Sequence, residues 1–180
     1  MAIVKILATH LLKSSEKIFE IIGTMMAIIR NNQKSLTSPK EKRNTMHNEL
    51  VSVAAKWLKS ARGCNAVIAE LVAKTTTGEI PDVIGWKSGI SILIEVKTSR
   101  SDFLRDKHKP CRRNALQGVG HQRYFLCPHG IIQANELPEG WGLIYVKNEK
   151  ARCVQKSGTH EYSQHNELIL LASALSRYQG

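Results

Sequence analysis

The chain has 180 residues, a length that suits one domain with a proper hydrophobic core. It carries 26 Lys and Arg against 15 Asp and Glu, for a formal charge of +11 and a pI near 9.7, so an anionic partner is the default expectation. Charges interrupt every apolar run well short of the ~20 residues of a membrane span, and no small-residue cleavage site follows a clean apolar region, so neither a membrane span nor a signal peptide is expected.

Residues 1 to 30 alternate apolar clusters (Ile3, Ile6, Leu7, Leu11, then Ile18, Ile21, Ile22, Met25) with charges at Lys5, Lys13, Glu16, Lys17 and Glu20. This pattern predicts an amphipathic helix packed on the domain or on a twin chain, the latter making a homodimer; a lipid-surface helix is the alternative. Asn31 to Thr45 is polar, contains Pro39 and reads as a linker. The expected organisation is therefore an extension over 1–45 and a domain over 46–180.

From Asn48 to Ser60, Leu50, Val51, Ala54, Ala55, Trp57 and Leu58 recur at helical spacing, and Arg62-Gly63 stops the helix. Glu49 lies in its first turn, where it either favours the positive helix end or serves as an accessory acid of a site. Asn65 to Ala73 predicts a strand whose one acid, Glu70, stands in an apolar run. A carboxylate there is costly to bury unpaired, so Glu70 is expected to face the same polar site as Asp82.

Pro81-Asp82 opens a second strand, and Ser88-Gly89 joins it to a third as a tight hairpin. With those two residues as the loop, Lys87 faces Ile90, and counting outward brings Asp82 opposite Glu95. Like charges directly opposed across a sheet are destabilising, so the arrangement makes sense chiefly with a cation between them. Alternation places Lys97 on the Glu95 side and Ile92, Ile94 and Val96 on the other, predicting one apolar face and one face of acid, acid and ammonium.

Next, Arg100, Arg105, Lys107, Lys109, Arg112, Arg113 and Arg123 crowd one segment, offset by Asp102 and Asp106. Such a run is a solvated helix face or a phosphate-binding surface, and its place beside the acidic pair favours nucleic acid. Gly118-Val119-Gly120 breaks the chain before strands at Arg123–Cys127 and Trp141–Val146, an edge strand at Ala151–Gln155 and a closing helix over Asn166–Tyr178. Cys64, Cys111, Cys127 and Cys153 are scattered without a C-x-x-C pair, so reduced thiols in the cytoplasm are expected. Cys127 and His129 with His108, Cys111 and His121 match no zinc-module spacing, and Cys127 reads instead as the end of a buried strand.

Pro81-Asp82 followed by Glu95-Val96-Lys97 forms the pattern P-D-x(n)-(D/E)-x-K, and on it the chain resembles the PD-(D/E)xK nuclease superfamily. The run from Glu95 through Ser99, Asp102 and Phe103 to Asp106 is similar to the E-x-K-x-S-x-x-D-F-x-x-D run of MmcB-like DNA-repair proteins and related phage nucleases, over roughly residues 46 to 147. His108 stands where that run carries a lysine. The resemblance implies an α/β, restriction-endonuclease-like αβββαβ core, with a mixed central sheet flanked by helices. It also implies a Mg2+- or Mn2+-dependent DNA endonuclease with the metal on Asp82, Glu95 and the Val96 carbonyl, Lys97 activating the attacking water, and Glu70 as an additional acid. A catalytically silent nucleic-acid-binding protein on the same fold is the alternative, and an oligomerising accessory protein directed by the N-terminal helix a third reading.

Overall fold

The computed structural model describes residues 38–70, 80–106, 109, 116 and 118–178. The expected N-terminal amphipathic helix lies outside them, and residues 43–180 pack as a compact unit.

The first helix, α1 (Pro39–Ser60), starts inside the stretch read as linker. The Ser38 N–H donates to the Glu41 carboxylate at 2.7 Å and the Glu41 N–H donates to Ser38 Oγ at 3.2 Å, a reciprocal capping box. Pro39 is no breaker there, because at the first helical position its missing N–H is not needed. At the other end Gly63, at φ +68°, lets the chain turn away, as Arg62-Gly63 suggested.

Six strands follow in one sheet whose spatial order is the chain order. They are β1 (Ala66–Ala69), β2 (Val83–Lys87), β3 (Ile90–Val96), β4 (Gln122–Pro128), β5 (Gly142–Lys147) and β6 (Lys150–Gln155). β1, β2 and β3 pair antiparallel, β3, β4 and β5 parallel, and β6 returns antiparallel at the edge. A short helix α2 (Arg100–Asp106) connects β3 to β4, and α3 (Gln164–Tyr178) closes the chain. The α/β architecture, a mixed sheet with flanking helices in the order αβββαβ, is the one expected. No helix among the described residues is long and apolar enough to cross a membrane.

Each face of the sheet buries a separate apolar layer. On one, Leu50, Val51, Ala54, Trp57 and Leu58 of α1 cover Ile92, Ile94, Val96, Tyr124 and Leu126. On the other, Phe103 of α2 and Leu170 and Ala174 of α3 cover Ile84, Leu93, Phe125 and Leu143. The second face is therefore not the purely polar one that strict alternation along β3 predicted. It is core along most of its length, with a buried polar contact at Ser91 and the acidic and basic groups gathered where β3 ends.

Two contacts hold this face together. Gly120 (φ +90°) enters β4 so close to β3 that a Cβ would stand 2.5 Å from that of Leu93, so only glycine fits. Glu167, buried in the first turn of α3, accepts hydrogen bonds from Trp86 Nε1 (3.0 Å), Ser91 Oγ (2.6 Å) and the Gly120 N–H (2.9 Å), tying the closing helix to β2, β3 and the entry to β4.

Candidate active site

The hairpin turn sets the geometry. Ser88 and Gly89 both take positive φ (+48° and +79°), as a two-residue turn with right-handed strand twist requires, and Lys87 pairs with Ile90. Pairing continues outward to Val83 opposite Ile94, which brings Asp82 level with Glu95 on the face that also carries Ile84 and Leu93. Asp82 Oδ2 accepts the Val96 N–H at 2.7 Å, so this carboxylate is fixed by the backbone of the strand it faces. The pair lies where the parallel strand β3 reaches its carboxyl end, the usual place for a site in such a sheet.

Lys97 Nζ lies 3.3 Å from Glu95 Oε2 and 2.8 Å from Asp106 Oδ1, and 5.6 Å from the centre of the Phe125 ring. Lys109 Nζ reaches the same two oxygens, at 3.0 Å each. Glu95, Lys97 and Asp106 are all buried, and α2 explains why Asp106 is present. Phe103 anchors that helix edge-on against Phe125, with ring centres 5.2 Å apart, and Asp106 lies three residues on, one turn along the same face. Two carboxylates and two amino groups thus close a four-membered ring of ion pairs. Burial alone would lower the Lys109 pKa, but Glu95 and Asp106 outweigh it and hold the group above the ordinary lysine value.

A second cluster meets Asp82 from the opposite side. His47, one turn before the apolar stripe of α1, places Nε2 3.3 Å from Glu70 Oε1 and 3.7 Å from Asp82 Oδ1. Glu70 stands just beyond the end of β1 at φ +50°, and its N–H donates to the Asp82 carbonyl at 2.9 Å. Burial and the facing Glu95 carboxylate push the Asp82 pKa up to about 6, against the smaller opposing pull of the Val96 N–H, Lys97 and His47.

These groups open into a pocket of about 440 Å³, lined by Arg43, Asn44 and His47 of α1, by Asp82, Glu95, Val96, Lys97 and Thr98, and by Asp102, Arg105, Asp106 and Lys109. Asp82 and Glu95 are hard oxygen donors suited to Mg2+ or Mn2+, and the Asp82 pKa is raised first by burial and then by the facing Glu95 charge, the part of the cost that a divalent cation relieves. Among the described residues no three His, Cys, Asp or Glu side chains are grouped as a metal-binding cluster, so the fit rests on this two-carboxylate set with the backbone of Val96.

Several expected site residues lie elsewhere. Glu49 is exposed beside Thr45, Asn48 and Glu149 in a separate groove, because it sits half a turn from His47 on α1. Arg123 does not join a phosphate-binding surface: it is buried, with Nε donating to the Gly120 carbonyl (3.0 Å) and a terminal nitrogen to that of Glu161 (2.9 Å). Arg100 is ion-paired with Glu136. Lys107, His108, Cys111, Arg112 and Arg113 lie outside the described residues. Cys127 is buried in β4, while His121 packs on Tyr162 and His129 on Tyr145. His47 and the buried role of Asp106 had no sequence-based expectation. Asp106 was visible as the end of the E-x-K-x-S-x-x-D-F-x-x-D run, whereas nothing in the spacing singled out His47.

A scan against models of known protein families gives no match, and neither does a search of the curated proteins. Among solved structures, the chain is similar to a protein of unknown function from Silicibacter pomeroyi, at 22% identity and a TM-score of 0.55, covering 72% of this chain and 86% of that one. At that identity the likeness is one of fold.

Proposed function

We propose that this chain is a Mg2+-dependent DNA endonuclease of the PD-(D/E)xK superfamily, which also accepts Mn2+. The observation that carries the reading is Asp82 level with Glu95 across a two-residue hairpin, with Lys97 bonded to Glu95 at one end of an αβββαβ core. Asp82, Glu95 and the Val96 carbonyl would hold the ion, and Glu70 is the additional acid, kept at the margin by His47. When bound, the ion supplies Lewis acidity toward the scissile phosphate and makes water a nucleophile near neutral pH. Lys97, oriented by Asp106, supplies a fixed positive group toward the charge that develops on the phosphate oxygens. The Val96 N–H keeps one Asp82 oxygen in place, so the acid needs no rearrangement to serve.

Cleavage of supercoiled plasmid with Mg2+, Mn2+ or EDTA tests the reading. Asp82→Asn and Glu95→Gln are each expected to abolish metal-dependent cleavage, and full activity in either at saturating metal would overturn the assignment. One observation favours the catalytically silent alternative: Glu95 Oε2 already engages both Lys97 and Lys109. Calorimetric titration of the wild-type chain with Mg2+ separates the two, since a silent protein shows no saturable heat. Free thiols at Cys64, Cys127 and Cys153 support a reducing, cytoplasmic setting, while a homodimer rests on the N-terminal residues.

A further inference from the structure

Arg43 had no place in the sequence patterns and Arg105 only a general one in the basic segment, yet both line the pocket of the site. They come from helices on opposite faces of the sheet: α1 covers the Ile92, Ile94 and Val96 side, and α2 the Leu93 and Phe125 side. Between them stand the acids Asp82, Glu95 and Asp106. Arg43 lies one helical turn before His47, so both side chains project toward the same pocket, and Asn44 adds a neutral amide beside them. No carboxylate among the described residues forms an ion pair with Arg43. Among the described residues Arg105 pairs only with Asp102, at 3.7 Å and with 72% of its own side chain exposed, a pairing weak enough to exchange for a phosphate.

We propose that Arg43 and Arg105 clamp a DNA strand at the phosphates on either side of the one above Asp82 and Glu95. This rests on the nuclease reading and adds to it the residues that bind the substrate. A lone phosphate would meet at the centre of the pocket three carboxylates and the two lysines paired with Glu95 and Asp106, and the arginines only at its walls. A strand carries one phosphate to the centre and presents its neighbours to both walls at once, the arrangement these charges match. The clamp also gives a role to Pro39–Thr45, the two helical turns that the capping box adds to α1.

The test measures binding of a fluorescent 30-mer, single-stranded or duplex, across salt concentrations without divalent metal, for wild type, Arg43→Gln, Arg105→Gln and the double variant, with Lys56→Gln as an exposed control elsewhere on α1. Each clamp substitution is expected to flatten the log-affinity against log-salt slope by about 0.9 unit on duplex and about 0.7 on a single strand, with no change in the control. With Mg2+, KM for DNA is expected to rise while hydrolysis of bis(4-nitrophenyl) phosphate, which has no flanking phosphates, keeps its rate. Unchanged slopes in folded variants overturn the clamp even if the wild type cleaves DNA. Altered slopes in a chain that cleaves nothing uphold the clamp and overturn the nuclease reading. If dTMP binds with the same salt slope as the 30-mer, the pocket takes a single phosphate and the clamp is wrong; if wild type neither binds nor cleaves DNA, both ideas fall.

Discussion

Replacing Asp82 with Asn is expected to make the metal-free protein more stable at neutral pH while abolishing its activity. Burial and Glu95 raise the Asp82 pKa from 3.8 to about 6. A rise of about two pKa units at ~1.4 kcal/mol each is about 3 kcal/mol, an upper figure because 23% of the side chain still meets water. Between pH 4 and 6 the unfolded chain has released a proton that the folded chain retains, so stability falls as pH rises through this window, and the whole penalty is present above pH 6. Asn removes the titration yet keeps an oxygen for the Val96 N–H. Urea unfolding of both proteins in EDTA from pH 4 to 7.5 reads the effect of Asp82 together with the groups it interacts with, since groups remote from it cancel in the difference. The variant is expected to gain up to about 3 kcal/mol on the wild type across that range, roughly 10 °C in melting temperature at pH 7.5. Mg2+ at a hundred times its Kd is then expected to restore about 2.7 kcal/mol to the wild type and nothing to the variant. A difference flat in pH, or a variant less stable at pH 7.5, would refute the opposed-carboxylate account.

Lys97→Met is expected to destabilise the fold by ~3 kcal/mol as well as stop cleavage, because Glu95 and Asp106 lose one of two cations where almost no water reaches them; a urea midpoint within experimental error of wild type would show that Lys109 neutralises both alone. Lys109→Met is expected to tighten Mg2+ binding roughly three- to tenfold by calorimetry (about 1 kcal/mol), since a competing cation leaves Glu95; a weaker Kd would mean that Lys109 instead holds the acid in its binding geometry. Glu167→Ala leaves three donors without their acceptor and is expected to cost ~3 kcal/mol or more with a shift in Trp86 emission, and an unchanged melting curve would contradict this.

The part of the site legible in the sequence is the part that local geometry dictates. Ser88-Gly89 specifies a two-residue turn, and such a turn fixes every pairing out to Asp82 and Glu95. The helix start at Pro39 was legible too, in Ser38-Pro39-Lys40-Glu41, but proline in a polar stretch resembles a linker until the reciprocal hydrogen bonds are seen. His47 could not be read, because its approach to Asp82 depends on how α1 docks across the sheet, and helical spacing carries no such information. The basic segment misled for a similar reason. Charge density draws no distinction between Arg123, whose guanidinium donates inward to backbone carbonyls, Lys109, which turns toward Glu95, and Arg105, which remains exposed.

The agreement of strand order with chain order bears on how the protein assembles as it is made. Each strand adds to an edge already formed, so no later strand must insert between earlier ones, and the sheet can grow one strand at a time as the chain leaves the ribosome. The hairpin of β2 and β3 is complete early, and with it the repulsion between Asp82 and Glu95. The cations Lys97 and Lys109 follow 2 and 14 residues after Glu95, whereas the acceptor for Trp86, Ser91 and Gly120 is Glu167, on the last helix. A nascent chain halted before residue 164 thus holds the reactive end of the sheet with its far side unlatched. Pulse proteolysis of stalled chains is expected to find β2 and β3 protected only once α3 has emerged.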